Sequence, residues 1–201
     1  MILSHAHIDH SGNIPSLVRQ GFRGEIYTTA ATRDLCGTML LDSAHIQAKD
    51  AEYLNKRNKR KERVEPLYTM RDAVVSLDYF HSIGYHRPFS PIPGVTAEFL
   101  DAGHILGSAI TILDITEGRK TKRLVFTGDL GRDGLAVIRD PERVVMADYL
   151  ISESTYGGRE RHADNILNAM TRRHGKCCRT QEIRSDSAGC IIRGMWKSLN
   201  I

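Results

Sequence analysis

No stretch of this chain holds the roughly 18 consecutive apolar residues that a membrane-crossing helix needs, so the composition offers no candidate for one. The opening MILSHAH has no basic start, and its apolar run stops after three residues, which does not read as a secretory leader. Cysteine is scarce. The four present are Cys36, Cys177, Cys178 and Cys190, three of them in the last 25 residues, and their spacing suits neither a disulfide framework nor a zinc finger. A reducing, cytoplasmic setting is therefore the expectation. There is no internal repeat. What is present is ordinary globular material: 201 residues, enough for one domain, with 41% hydrophobic and 26% charged residues. The net charge of +4 suits a polyanionic substrate, although a surface that merely leans positive is the commoner meaning of such a balance.

The pattern along the chain predicts an α/β start followed by a β-rich run. MILS reads as the end of a buried strand, and SGNIPSLVRQGF as a short helix capped by Ser11 or Asn13, with Pro15 in its first turn and Gly21 at its end. GEIYTT reads as a strand, TAATRDLCGTMLLDSAHIQ as a helix, and EPLYTMRDAVVSLDYF as a second long helix. The stretch 50–63 is polar and basic and reads as an exposed helix or loop. FSPIPGVTAEFLDAG, SAITILDITEG and KRLVFTGDLG alternate like strands, with turns at Pro93-Gly94, Glu117-Gly118 and Gly128, and DYLISEST reads as a further strand. From about Thr171 the chain follows neither the helical nor the strand period.

Chemistry is concentrated at residues 4–12, SHAHIDHSG, where His5, His7, Asp9 and His10 fall within six positions. Imidazole and carboxylate are natural ligands for a borderline divalent ion such as zinc. In extended chain, His5 and His7 point to one side and serve one ion, while Asp9 and His10 on the following turn reach toward another. The set is incomplete by itself. His104 in FLDAGHILGSA and Asp129 in RLVFTGDLG, each at the end of a strand and beside small residues, are the candidate donors that complete it. Either residue alone is more often an ordinary hydrogen-bonded group; beside an H-x-H-x-D-H cluster the balance reverses.

These residues resemble the metallo-β-lactamase superfamily, with HAHIDH matching its H-x-H-x-D-H motif. LLDSAHIQAKDAEYLNKR, EPLYT, FLDAGHILGSA, FTGDLGR and SESTYGGRERH resemble its β-CASP branch of RNA-processing nucleases, in the family's order from about residue 2 to about residue 165. The resemblance implies a partial metallo-β-lactamase αββα sandwich over 1–170, two zinc ions and an RNA substrate. It implies that His5, His7 and His104 hold one zinc, that Asp9 and His10 hold the other, and that Asp129 bridges them. Glu153 matches the first β-CASP motif, in which it orients a downstream acid His; its plainer reading is a strand-end carboxylate capping the next turn. Asp9, Asp129 and Glu153 form the implied catalytic set. His162 falls in a family-like position without a defined role, and His45, His81, His86 and His174 match no metal motif.

The family pattern also has strands before the first motif, a β-CASP cap domain and a last zinc-binding His, and none of these is matched here. The expectation is a chain truncated at both ends, with 171–201 a divergent or frame-shifted tail. Three functions stay open on the sequence: a zinc-dependent β-CASP ribonuclease, a thioester or lactam hydrolase on the same fold, and an inactive chain that binds metal or RNA only. The run KRNKRKER (56–63) offers phosphates a basic patch, though it also reads as a solvated helix face.

Overall fold

The computed structural model describes residues 1–57, 63–135 and 137–155. The expected boundary near 170, the 171–201 tail, His162, His174 and most of the KRNKRKER run lie outside the described residues.

Two short helices open the chain, α1 (Ile8–Ser11) and α2 (Ile14–Arg19), followed by β1 (Ile26–Thr28). Pro15 stands in the first turn of α2, where its missing N–H costs nothing, and Gly21 closes the segment at φ 109°. Helix α3 (Ala30–Arg57) is longer than the sequence pattern suggested and absorbs part of the polar stretch after Asp50. It has no proline, and its buried Thr32, Cys36, Leu40, Ala44 and Ala51 recur at helical spacing on one face. Helix α4 (Met70–Leu77) starts at a capping box: Thr69 Oγ1 accepts from the Asp72 N–H, and the Asp72 carboxylate accepts from the Thr69 N–H. It stops earlier than the sequence suggested, because Phe80–Ser82 forms β2, parallel to β1.

A five-stranded sheet follows in the order β3 (Phe89–Ile92), β4 (Val95–Asp101), β5 (Ala109–Glu117), β6 (Lys120–Phe126) and β7 (Tyr149–Ile151). Strands β3 to β6 form an antiparallel meander, and β7 returns parallel to β6. The β5–β6 hairpin turns at Gly118 (φ 61°), as the Glu117-Gly118 signal required. No membrane-crossing helix occurs among the described residues.

Two apolar clusters hold these layers. Leu3, together with Ile26 and Phe80 of the small sheet, packs against Ile14 of α2, Cys36, Leu40 and Ala44 of α3, and Tyr68 and Ala73. The larger sheet turns Phe99 toward the smaller one through the ring stack Tyr27–Phe89–Phe99, with centroids 4.9 and 5.3 Å apart. Its other face, with Leu100, Ile110, Ile112 and Val125, is covered by Leu130 and Val144 of the β6–β7 connection.

Register decides where chemistry collects. Asp101 pairs with Ala109, so the turn between them leaves the sheet at the edge where β6 ends at Phe126 and β7 at Ile151. The first residues reach the same edge. Ile2 bridges Tyr27, Leu3 N–H donates to Tyr27 O, and Ala109 N–H donates to Ser4 O at 2.8 Å. His5, His104, Asp129 and Glu153 are thereby delivered to one end of the molecule.

Candidate metal centre

His5 is completely buried, and its Nδ1 lies 3.1 Å from Ser4 Oγ. With Nδ1 paired to that hydroxyl, Nε2 faces inward. There it has no hydrogen-bond partner among the described residues, and Asp129 Oδ2 stands 3.5 Å away. A fully buried imidazole nitrogen without a partner is costly unless something else occupies its lone pair. His7 Nδ1 is 3.2 Å from His104 Nε2, and His104 Nε2 is 3.6 Å from Asp129 Oδ2. One ligand atom from each of His5, His7, His104 and Asp129 can be chosen so that all four lie within 4.8 Å of one another. Three imidazoles and a carboxylate converging in this way match the donor set of a divalent metal ion.

Asp9 and His10, expected on the turn after His7, lie to one side of these four. They lie on α1, which starts just after His7 and forms that turn. His10 Nε2 is 3.4 Å from Asp129 Oδ1 and 3.4 Å from Asp9 Oδ2. The two oxygens of Asp129 therefore face different partners: Oδ2 faces His5 and His104, and Oδ1 faces His10. The Asp9 side chain is largely exposed and reaches the cluster at His10.

Crowding and burial set the charge state. Burial first, then the neighbouring His10, His104 and His7, push His5 from 6.5 down to about 3. Burial also lowers His104, against the opposing pull of Asp129. Both imidazoles are held neutral, the form that ligates metal.

Two glycines make the approach of the loops possible. Gly128 has φ 56°, and a Cβ there would meet the Ser4 side chain at 2.9 Å. Gly131 lies so close to the Gly103 carbonyl that a Cβ has no room, and its N–H donates to Ala102 O at 2.8 Å. The loop carrying Asp129 is thus joined to the turn carrying His104.

Glu153 is partly buried just beyond β7, and its Oε1 accepts from the Leu130 N–H at 2.7 Å. The carboxylate thus reaches back 23 residues to the loop next to Asp129, whereas the plainer reading had it capping the turn that follows its own strand. His45, His81 and His86 stand apart from the cluster, as expected; His81 and His86 pair with surface glutamates. Sequence reasoning missed the supporting hydroxyls: Ser4 on His5, and Ser108, whose Oγ accepts from the N–H groups of His104 and Ile105. The only signal for Ser108 was the run of small residues after His104.

No family model matches the chain. It is 32% identical over 159 residues, 79% of its length, to the ribonuclease TTHA0252 of Thermus thermophilus. The chain is similar to the β-CASP branch of the metallo-β-lactamase superfamily. Transcription termination factors FttA are similar too: 32% identity over 193 residues in Methanocaldococcus jannaschii, 96% of this chain, and 34% over 160 residues in Thermococcus kodakarensis, 79% of it. The chain spans 32%, 28% and 22% of the length of these three relatives. Among solved structures, the subclass B3 metallo-β-lactamase MEM-A1 from a soil metagenome aligns with a TM-score of 0.44 at 13% identity, covering 89% of this chain and 62% of that one. The H-x-H-x-D-H motif lies at residues 5–10.

Proposed function

We propose that this chain is the metal-binding part of a zinc-dependent hydrolase that cleaves RNA phosphodiester bonds. The observation that carries the proposal is the two-sided placement of Asp129, with one oxygen toward His5 and His104 and the other toward His10. In this reading His5, His7, His104 and Asp129 would hold one zinc ion, and Asp9 and His10, together with Asp129, would hold a second. When bound, such a pair supplies Lewis acidity and brings the deprotonation of water close to neutral pH. The protein's part is positional. Burial keeps His5 and His104 neutral and ready to ligate. Glu153 fixes the Leu130 amide and through it the loop holding Asp129, so the catalytic set Asp9, Asp129 and Glu153 acts through geometry.

RNA is preferred as substrate because one relative is named a ribonuclease. The net charge of +4 is compatible with a polyanion. A reducing, cytoplasmic setting suits the free, buried thiol of Cys36, which burial pushes up to about 11 and makes inert. Residues 1–170 form the metallo-β-lactamase portion in this reading, and 171–201 a separate tail.

The test is cleavage of an end-labelled RNA oligonucleotide by the zinc-loaded chain, with Asp129→Asn alongside. Zinc-dependent cleavage that falls roughly a hundredfold or more in the variant is expected. Turnover of a thioester or lactam with RNA left intact would replace this function by the second one. RNA binding without cleavage at any zinc concentration would leave a binding chain only.

A further inference from the structure

The turn that carries His104 is held from outside by two hydroxyls far away in sequence. Thr29 Oγ1 and Thr32 Oγ1 both donate to the carbonyl of Gly107, at 2.7 and 2.9 Å, across 78 and 75 residues of chain. Both threonines are buried, Thr32 completely. Thr29 also accepts from the Thr32 N–H at 3.3 Å, so it caps α3 while gripping the turn. The two hydroxyls also lie 3.1 Å from each other, so cap and grip share one small network. Gly107 meets this pair at very close range: its φ is 85°, and a Cβ there would lie 2.7 Å from Thr29 Oγ1 and 2.7 Å from Thr32 N.

Motion at Gly107 would be passed to His104 because the turn is internally closed. Ser108 Oγ accepts from the N–H groups of His104 and Ile105, Ser108 N–H donates to Ile105 O, and Ser108 O accepts from the Ala102 N–H and the Tyr85 hydroxyl. Apolar packing does little to anchor it, since Leu106, at its tip, is 64% exposed. The threonines therefore supply the link from the start of α3 to the ligand turn.

We propose that Thr29 and Thr32 are positioning residues for His104, setting its imidazole for metal through the Gly107 carbonyl. This rests on reading His104 as a ligand. Partners of this kind, one step removed from the metal, typically change affinity by about 10- to 100-fold.

The test is cobalt(II) binding by the metal-free full chain, read as affinity and as the visible ligand-field spectrum. Thr32→Val keeps the shape and removes the hydroxyl; it is expected to weaken cobalt binding by about tenfold and to alter the spectrum. Thr29→Val/Thr32→Val is expected to weaken it toward about a hundredfold. Thr29→Ser/Thr32→Ser, which keeps both hydroxyls, should restore the wild-type affinity and spectrum. A loss of packing alone would not be repaired by serine, which has less apolar volume than valine. If the double valine variant does not fold, Thr32→Val alone decides. Wild-type affinity and spectrum in folded Thr32→Val would overturn the positioning role. His104→Ala separates the two failures, because unchanged cobalt binding in that variant would overturn the metal reading itself.

Discussion

His5 condenses the chemistry of the site into one side chain. It is fully buried, Ser4 faces one ring nitrogen, and the other has no hydrogen-bond partner among the described residues. Its proton affinity follows from that position. The imidazole falls from 6.5 to about 3 on folding, so between those values the unfolded chain binds the proton and the native one does not. The stability that His5 contributes is complete above about 6.5 and is lost as the pH falls toward 3, by at most about 1.4 kcal/mol per pH unit. Urea midpoints of the chelator-treated protein should therefore drop between pH 7 and pH 4.5, and less steeply in His5→Gln. A midpoint indifferent to pH would contradict the burial of a neutral His5. At this scale much was legible in the sequence. The spacing of His5, His7, Asp9 and His10 announced a metal chemistry, and His104 and Asp129 stood out as strand-end donors. Thr29 and Thr32 did not, because a hydroxyl acting on a carbonyl some 75 residues away leaves no local pattern.

Among the elements, the loops that close the site carry the tightest constraint. Gly131→Ala would press a methyl group into the Gly103 carbonyl, with the His104 N–H only 2.7 Å away. The expected cost is about 3 kcal/mol or more, seen as a lower urea midpoint together with weaker metal binding. Gly134 makes a useful contrast. Nothing lies near its missing Cβ, but its φ is 77°, so Gly134→Ala should cost only about 1 kcal/mol and leave metal binding alone. Gly37 points the other way. It lies inside α3 with the nearest atom, Leu77 Cδ1, at 4.0 Å, and Gly37→Ala should stabilise the fold by about 0.5–1 kcal/mol. Most elements could be read in advance: the β5–β6 hairpin from Glu117-Gly118, α2 from Pro15 and Gly21, and the meander from its alternation. β2 was missed because three residues directly after a helix are too few to show a period of two, and its parallel pairing with β1 comes from across the βαβ crossover.

For the molecule as a whole, the fold gathers parts of one centre from opposite ends of the described chain. The first seven residues, the β4–β5 turn and the loop after β6 converge on one sheet edge, and the residue just past β7 pins that loop. The layer arrangement followed from the family pattern in the sequence. The covering of the larger sheet by Leu130 and Val144 did not, because the β6–β7 connection carries no periodic signal. Central to all of this is Asp129 standing between two ligand sets. The most direct measurement is the zinc content per chain by elemental mass spectrometry, on the purified protein and on Asp129→Ala. About two zinc ions per chain, with loss of zinc in the variant, is the expected result. No stoichiometric zinc, or a content that Asp129→Ala leaves unchanged, would contradict a metal centre built on Asp129.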